Sequence, residues 1–260
     1  MDGSVRALLP GSHIPGELLA RLARFGRIYV LDRVPSTNAY AFGLADKEQP
    51  AVVIAQHQTA GRGRFRRHWF SNTDSLTFSL LLFRSPEDPP STPPQLTQLA
   101  GLAACQAIED VTGLEPLIRW PNDVVCAGKK LAGILCEQRG NAIVIGIGIN
   151  VNQPEFPEEL PEAGSLRMMA GRPWERLEIL ERTLEHFTQG MSAIQEERWP
   201  ELLLEIKNRS GVLHRRVEVR TLFRRHIGTV VDIDPEGRIV LRTSSGRLVI
   251  VSSGQARTLR

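Results

Sequence analysis

Absences narrow the reading first. The 260 residues include only three cysteines, Cys105, Cys126 and Cys136, with no C-x-x-C pair and no metal-ligand spacing. That excludes a disulfide framework and the usual zinc modules. The three thiols read as small core hydrophobes in a reducing compartment. No apolar run approaches the ~18–20 residues that a membrane-spanning helix needs. The longest, 142–151 with Asn150 inside it, is strand-length and contains Gly146 and Gly148. The opening MDGSVRALLPGSH has no apolar core of a signal peptide. These features predict a cytoplasmic protein with no membrane partner. Also missing are G-x-x-x-x-G-K-[ST], G-x-S-x-G and H-E-x-x-H, and the six histidines form no cluster. Gly146-x-Gly148 lacks the third dinucleotide-binding glycine and sits within a strand rather than before a helix. Common P-loop, serine-hydrolase and zinc-protease chemistries therefore have no visible basis.

What is present is an ordinary globular composition, 42% hydrophobic and 23% charged. The net charge of +3 is unevenly spread. Residues 213–260 hold ten arginines and no lysine against four acids, a balance of +6, so the first 212 residues carry −3. The asymmetry predicts two domains, the second with a basic face. That face could serve nucleic acid, an acidic protein or a polyphosphate, or be a plain solvated surface. A base-stacking surface needs aromatics, and residues 213–260 contain only Phe223.

Along the chain, a short helix is expected at 15–24 and a strand at 27–32. Pro35-Ser36-Thr37-Asn38 carries N-cap chemistry and opens a helix near 37–45. Strands follow at 51–57 and 75–83, joined by a Gly- and Arg-rich loop at 59–68. Residues 85–94 carry five prolines and read as a loop. Thr92 with Pro93 and Gln95 forms a capping box, and Gly113 ends the helix it starts. Four strands, at 117–120, 123–126, 130–138 and 142–151, make an antiparallel meander. Residues 153–165 are a Pro/Glu-rich loop. A helix with Trp174, Leu177, Leu180, Leu184, Phe187 and Met191 on one face follows, and Pro200 starts another ending at Ser210-Gly211. After 213, short strands at 217–221, 228–232, 238–243 and 247–251 alternate with turns and predict a small barrel.

Four segments carry candidate chemistry, and each alone admits a plainer reading. Gly61-Arg62-Gly63-Arg64-Phe65-Arg66-Arg67-His68-Trp69 can surround an anion with guanidinium forks, or be a basic surface loop. Arg119-Trp120-Pro121-Asn122-Asp123 can present an amide and a carboxylate suited to Mg²⁺, or form an Asx turn. Lys130 in the apolar stretch Leu131-Ala132-Gly133-Ile134 either faces a pocket or snorkels. Gly146-Ile147-Gly148-Ile149-Asn150 allows close approach of a flat ring, or marks a bulge or tight helix–sheet packing.

The joint order is more specific than any part. Ser36-Thr37-Asn38, Gln58-Thr59-Ala60-Gly61-Arg62-Gly63-Arg64, Trp120-Pro121-Asn122-Asp123, Lys130-Leu131-Ala132-Gly133-Ile134 and Gly146-Ile147-Gly148-Ile149-Asn150 together resemble the biotin–protein ligase family. Gly228-Thr229-Val230 and Ser253-Gly254 resemble its small C-terminal domain. The sequence departs from the family loop G-R-G-R-x-G-R-x-W at Arg66, which replaces the last glycine. Arg119 stands where lysine is common.

The resemblance implies an α+β fold: a mixed, mostly antiparallel sheet with helices, followed by a small SH3-like β-barrel. The boundaries are 1–27 for an N-terminal extension, 28–212 for the catalytic domain and 213–260 for the barrel. It implies ATP and biotin as substrates with Mg²⁺, and a biotin carboxyl carrier protein, as of acetyl-CoA carboxylase, as acceptor. By motif position, biotin would be bound by Ser36, Thr37, Asn38, Gln58, Gly61, Arg62, Gly63, Arg64, Trp69, Lys130 and Gly133. ATP would be bound by Arg64, Arg67, Asn122, Asp123, Lys130, Gly146, Gly148 and Asn150, with Asp123 as the Mg²⁺ ligand. Lys130 and Arg64 would carry catalysis. A lipoate ligase or octanoyl transferase is the nearest enzyme alternative. Only 35 residues precede Ser36, fewer than the ~50 an independent domain needs. The expectation is therefore a ligase without a DNA-binding repressor domain or sequence-specific DNA partner. A homodimer is left open.

Overall fold

The computed structural model describes residues 15–85 and 92–259. The N-terminal extension before 15 and most of the proline-rich loop at 85–94 lie outside them, as does the side chain of Arg66. The first sheet has seven strands in the order β1-β2-β3-β7-β6-β5-β4. These are β1 (Arg27–Val34), β2 (Ala51–Gln58), β3 (Ser75–Phe83), β4 (Leu117–Arg119), β5 (Asp123–Cys126), β6 (Lys129–Arg139) and β7 (Ala142–Asn150). Only β1 and β2 run parallel, joined across α2 (Thr37–Phe42); the β4–β7 stretch is the expected meander.

Side-chain alternation divides this sheet into two faces. On β7, Ile143, Ile145, Ile147 and Ile149 face a helical layer, and on β3 Leu76, Phe78 and Leu80 do the same. That layer is built from α1 (Gly16–Leu22), α3 (Pro93–Thr112), α5 (Arg176–Gln195) and α6 (Trp199–Asn208). The alternate residues of β3 and β7 look the other way. Leu81, Ala142 and Val144 pack there under α2 with Tyr29, Leu31 and Val53. Beyond them the same face turns to small and polar residues: Ser75, Thr77 and Ser79 on β3, and Gly146, Gly148 and Asn150 on β7. A core face needs bulk, and this one makes room.

The helix starts follow local chemistry. Thr92 accepts from Gln95 N at 3.4 Å and Gln95 Oε1 accepts from Thr92 N at 2.7 Å, a complete capping box worth about 1 kcal/mol. Gly113 closes α3 at φ 72°. Trp174 is not on α5, as the periodicity suggested. It precedes the helix, its backbone held by two 2.9 Å bonds to the Asn152 side chain. Just after the expected loop at 153–165, Ser165 caps an unforeseen short helix, α4 (Leu166–Ala170), too brief to leave a period.

The second sheet is antiparallel, in the order β11-β10-β9-β8-β12, and forms the SH3-like barrel. It comprises β8 (Arg216–Arg220), β9 (Arg225–Ile233), β10 (Ile239–Arg242), β11 (Leu248–Val251) and β12 (Gln255–Thr258). The fifth strand, β12, was not expected, because Gln255-Ala256-Arg257-Thr258 has one apolar residue and earns its place only by pairing with β8. The barrel does not stand apart. Its core residues Val217, Val230, Ile239 and Leu241 belong to the same apolar cluster as Leu96 and Leu99 of α3. The turn at 234–237 is gripped as well. Pro235 O accepts from Gln95 at 3.0 Å and Trp199 at 2.7 Å, and Gly237 O accepts from Trp120 at 2.9 Å and from Gln98.

Candidate active site

The small-residue face of the sheet forms the floor of a cavity of about 410 Å³, within the range of small-molecule sites. Its walls hold every residue expected of the site except Gly61. Gly61 instead supports the basic loop from beneath: a Cβ there would meet Trp69 O at 2.7 Å, and Trp69 N donates to Gly61 O at 2.9 Å. The loop is not loose. Arg62 bridges His68, and Gly63 N donates to Arg67 O at 2.8 Å, so 61–69 is a compact hairpin.

One end of the cavity is closed and neutral. Ser36, Thr37, Asn38 and Gln58 are all buried. Gln58 Oε1 accepts from Thr37 N at 2.8 Å and from Thr37 Oγ1 at 3.1 Å. Ser79 Oγ lies 2.7 Å from both Thr37 Oγ1 and Asn38 Oδ1. Asn38 Nδ2 donates to Glu137 at 2.8 Å. Buried polar groups need such partners, and the network fixes their orientation before any ligand arrives.

The other end is cationic. Arg62, Arg64, Arg67, Arg119 and Lys130 line it against Asp123, Glu159 and Glu162, five formal cations facing three acids. Lys130 Nζ lies 2.5 Å from Asp123 Oδ1, while Arg119 reaches Asp123 Oδ2 at 3.0 Å and Glu162 at 3.1 Å. Burial lowers the Arg64 pKa from the ordinary guanidinium value, opposed by the nearby Asp123 carboxylate. An arginine stays charged through such a shift, so a partly desolvated cation faces the cavity, where an anion would relieve its cost.

Three glycines are explained by what lies on them. A Cβ at Gly146 would fall 2.1 Å from Asn38 Oδ1, and one at Gly148 would fall 2.4 Å from the Trp69 indole. At Gly133 it would meet Trp69 at 3.0 Å and Lys130 Nζ at 3.2 Å. The close approach anticipated on β7 is thus made by Asn38 and Trp69. Trp69 Nε1 is buried with no hydrogen-bond partner among the described residues. Lys130 Nζ stands 5.6 Å from the Trp69 ring, within cation–π range.

Two expected site residues also hold their neighbours. Each Asp123 carboxylate oxygen is paired with a cation, Oδ1 with Lys130 and Oδ2 with Arg119; a Mg²⁺ carried by nucleotide phosphates needs only one or two carboxylates, and Asp123 would hold it by giving up one of these pairings. Its carboxylate orients Lys130 and Arg119. Asn150 and Asn122 line the cavity but also brace it. Asn150 Nδ2 donates to Gly164 O at 2.9 Å, and Asn122 Nδ2 donates to Ile134 O at 3.0 Å. Sequence reading missed the wall at 156 and 159–163, residues 254–256 of the barrel, and Ser79, which lies behind the lining and holds Thr37 and Asn38. Ser79 had a signal: small polar residues at every second position of an otherwise apolar strand. The barrel residues had none. Arg64 donates to Gly254 O at 3.3 Å and Arg67 to Gln255 Oε1 at 2.7 Å, contacts across almost 190 positions of chain.

This combination of sheet, loop and barrel has relatives. Residues 30–153 match the Biotin/lipoate A/B protein ligase family, and 212–256 match the biotin protein ligase C-terminal domain. The bifunctional ligase/repressor BirA of Bacillus subtilis is 35% identical over 92% of this chain and 79% of its own length. The biotin–[acetyl-CoA-carboxylase] ligase of Mycobacterium tuberculosis is 34% identical over 94% of this chain and 93% of its own. The biotin protein ligase of Aquifex aeolicus, solved in complex with biotin and ATP, superposes with a TM-score of 0.79 at 30% identity, over 90% of this chain and 98% of that one. This chain belongs to the biotin protein ligase family. No helix among the described residues is long and apolar enough to cross a membrane.

Proposed function

We propose that this protein joins biotin to ATP as biotinyl-5′-AMP and then transfers the biotinyl group to a lysine of a biotin carboxyl carrier domain. The observation that carries this reading is the pairing of a neutral, pre-ordered cradle with a cationic mouth in one cavity. The ureido ring of biotin is neutral and needs fixed donors and acceptors in a dry place, which Thr37, Asn38 and Gln58 would supply, with Ser79 holding Thr37 and Asn38 from behind. Its carboxylate would then point to Arg64 and Lys130.

In the first step a biotin carboxylate oxygen attacks the α-phosphorus of ATP. One P–O bond forms, another breaks, and pyrophosphate leaves. Two anions ~4 Å apart repel by about 4 kcal/mol at an effective dielectric near 20. Arg64 and Lys130 offset that repulsion and stabilise the charge that develops on the transferring group. Asp123 keeps the Lys130 ammonium aimed into the cavity. Nucleotide would lie along Gly146, Gly148 and Asn150, which requires Trp69 to give ground. In the second step the neutral acceptor amine attacks the acyl carbon, AMP departs with the bonding pair, and the amine loses a proton. No protein nucleophile is needed, in keeping with the absence of an activated serine or cysteine.

Mass spectrometry after incubation with biotin and Mg-ATP should show biotinyl-AMP, and added carrier domain should gain one biotinyl group. Equal activation of lipoate or octanoate would move the protein to the neighbouring ligase class.

A further inference from the structure

The barrel ends, beside the cavity mouth, in an apolar tip that no part of the described chain covers. Leu222 and Phe223 form the turn between β8 and β9, and they are 74% and 92% exposed. Water-facing aromatic and aliphatic side chains side by side on a tight turn lose apolar burial for no folding gain. Their position is specific. β8 pairs with β12 so that Arg220 lies opposite Gln255, which lines the cavity and holds Arg67. Leu222 comes two residues after that pair, so the tip rises from the same end of the barrel as the mouth.

The rim of the tip is basic. Arg220 and Arg225 both pair with the buried carboxylate of Glu218 and stay 69% and 60% exposed. Arg224, in the turn itself, makes no ion pair among the described residues. Three arginines thus lie on the turn and on the paired strand ends at its base, with one carboxylate among them, in the domain whose charge balance is +6.

We infer that Leu222 and Phe223, with Arg224 beside them and Arg220 and Arg225 at the base of the turn, dock the acidic protein domain that presents the acceptor lysine. The inference rests on the transfer reaction proposed above. A lysine side chain reaches roughly 6 Å from its Cα by standard bond lengths. The body of the acceptor must therefore sit against the mouth when its amine enters; exposed Phe65 and Leu160 line the mouth itself, and the tip is the more exposed apolar pair, two residues beyond the Arg220–Gln255 pairing at the cavity wall. An exposed apolar anchor with a charged rim is the anatomy of a small transient interface. Arginine at the rim favours a partner with acidic side chains and speeds its approach.

The full chain tests this. Three rates are measured in wild type, in the double variant Leu222→Ser/Phe223→Ser and in Arg224→Glu: biotin-dependent ATP–pyrophosphate exchange, biotinyl transfer to hydroxylamine, and transfer to purified, unmodified biotin carboxyl carrier domain. Both variants should raise the KM for the carrier domain about tenfold, with exchange and hydroxylamine transfer unchanged. Arg224→Glu should also flatten the salt dependence of that KM. An unchanged carrier KM overturns the inference. So does a matching fall in exchange, which would make the tip part of the cavity. A concentration-dependent dimer lost in Phe223→Ser would give the tip to a second copy of the chain instead. Wild type that shows no biotin-dependent exchange would sink the proposed activity itself, a result distinct from these.

Discussion

The two ends of the cavity solve opposite problems with opposite means. At the closed end, neutral side chains from α2, β2 and β3 are buried and already satisfied by one another. At the open end, Lys130 keeps 28% of its side chain exposed and Arg119 20%, and Arg64 and Arg67 are held by single contacts to the barrel. Desolvating an unpaired cation costs far more than desolvating an amide with a partner. The neutral cradle can therefore be rigid and dry. The charged mouth stays near water, where Lys130 and Arg119 extend from the sheet and Arg64 and Arg67 from the hairpin that touches the barrel. The closed end is built within one sheet and the helix on it, whereas the mouth also draws on the hairpin and the barrel.

The largest break in that contrast should come from Lys130→Ala. It removes a cation where charge develops, an effect on the order of 10²–10³ in rate, while the closed end still binds biotin. Pyrophosphate exchange and biotin binding measured together check this; near-normal exchange would take Lys130 out of the mechanism. Arg64→Gly comes next. It deletes the bond to Gly254 O and, on the proposed reading, a charge-assisted contact to the intermediate worth about 1.5–3 kcal/mol. The variant should still form biotinyl-AMP but release it roughly 10–100-fold faster by that figure. Free intermediate should then label a bystander such as albumin; retention as long as in wild type would show that Arg64 is no clamp.

Glycine substitutions sharpen the difference in rigidity. Gly146→Ala drives a methyl against Asn38 within the satisfied network, so unfolding stability should fall by about 1–3 kcal/mol and biotin should bind more weakly. Gly148→Ala meets Trp69, whose indole nitrogen has no hydrogen bond to lose among the described residues. Its denaturation midpoint should shift less than that of Gly146→Ala, and equal shifts would erase the proposed contrast. The smallest effect belongs to Gln255→Ala, which deletes one exposed hydrogen bond to Arg67. A loss of about 0.5–1.5 kcal/mol in loop closure should appear as a two- to tenfold faster intermediate release by that same figure, with biotin affinity unchanged.

Much of the frame is legible locally. The capping box at Thr92, the Ala127-Gly128 turn and the meander need only neighbouring residues, and each lies where turn chemistry and periodicity put it. Trp174 shows the limit: its spacing suits the α5 stripe, but Asn152, distant in sequence, holds it outside the helix. β12 shows it again, as a strand only because β8 offers an edge.

The sequence by itself determined that the motif residues other than Gly61 would gather in the cavity, and it determined the sign of the charge there. Tertiary structure alone decided what those residues do to one another. Asp123 became the anchor of Lys130 and Arg119 because the β5–β6 pairing and the end of β4 bring all three together. The gaps at Gly146 and Gly148 were filled by Asn38 and Trp69 because β7 lies beneath both α2 and the basic hairpin. The barrel joined the mouth through Gly254 and Gln255. Local signals act over a turn or a strand period, whereas these contacts join positions from a few residues to nearly two hundred apart, and only strand order and packing set which of them meet.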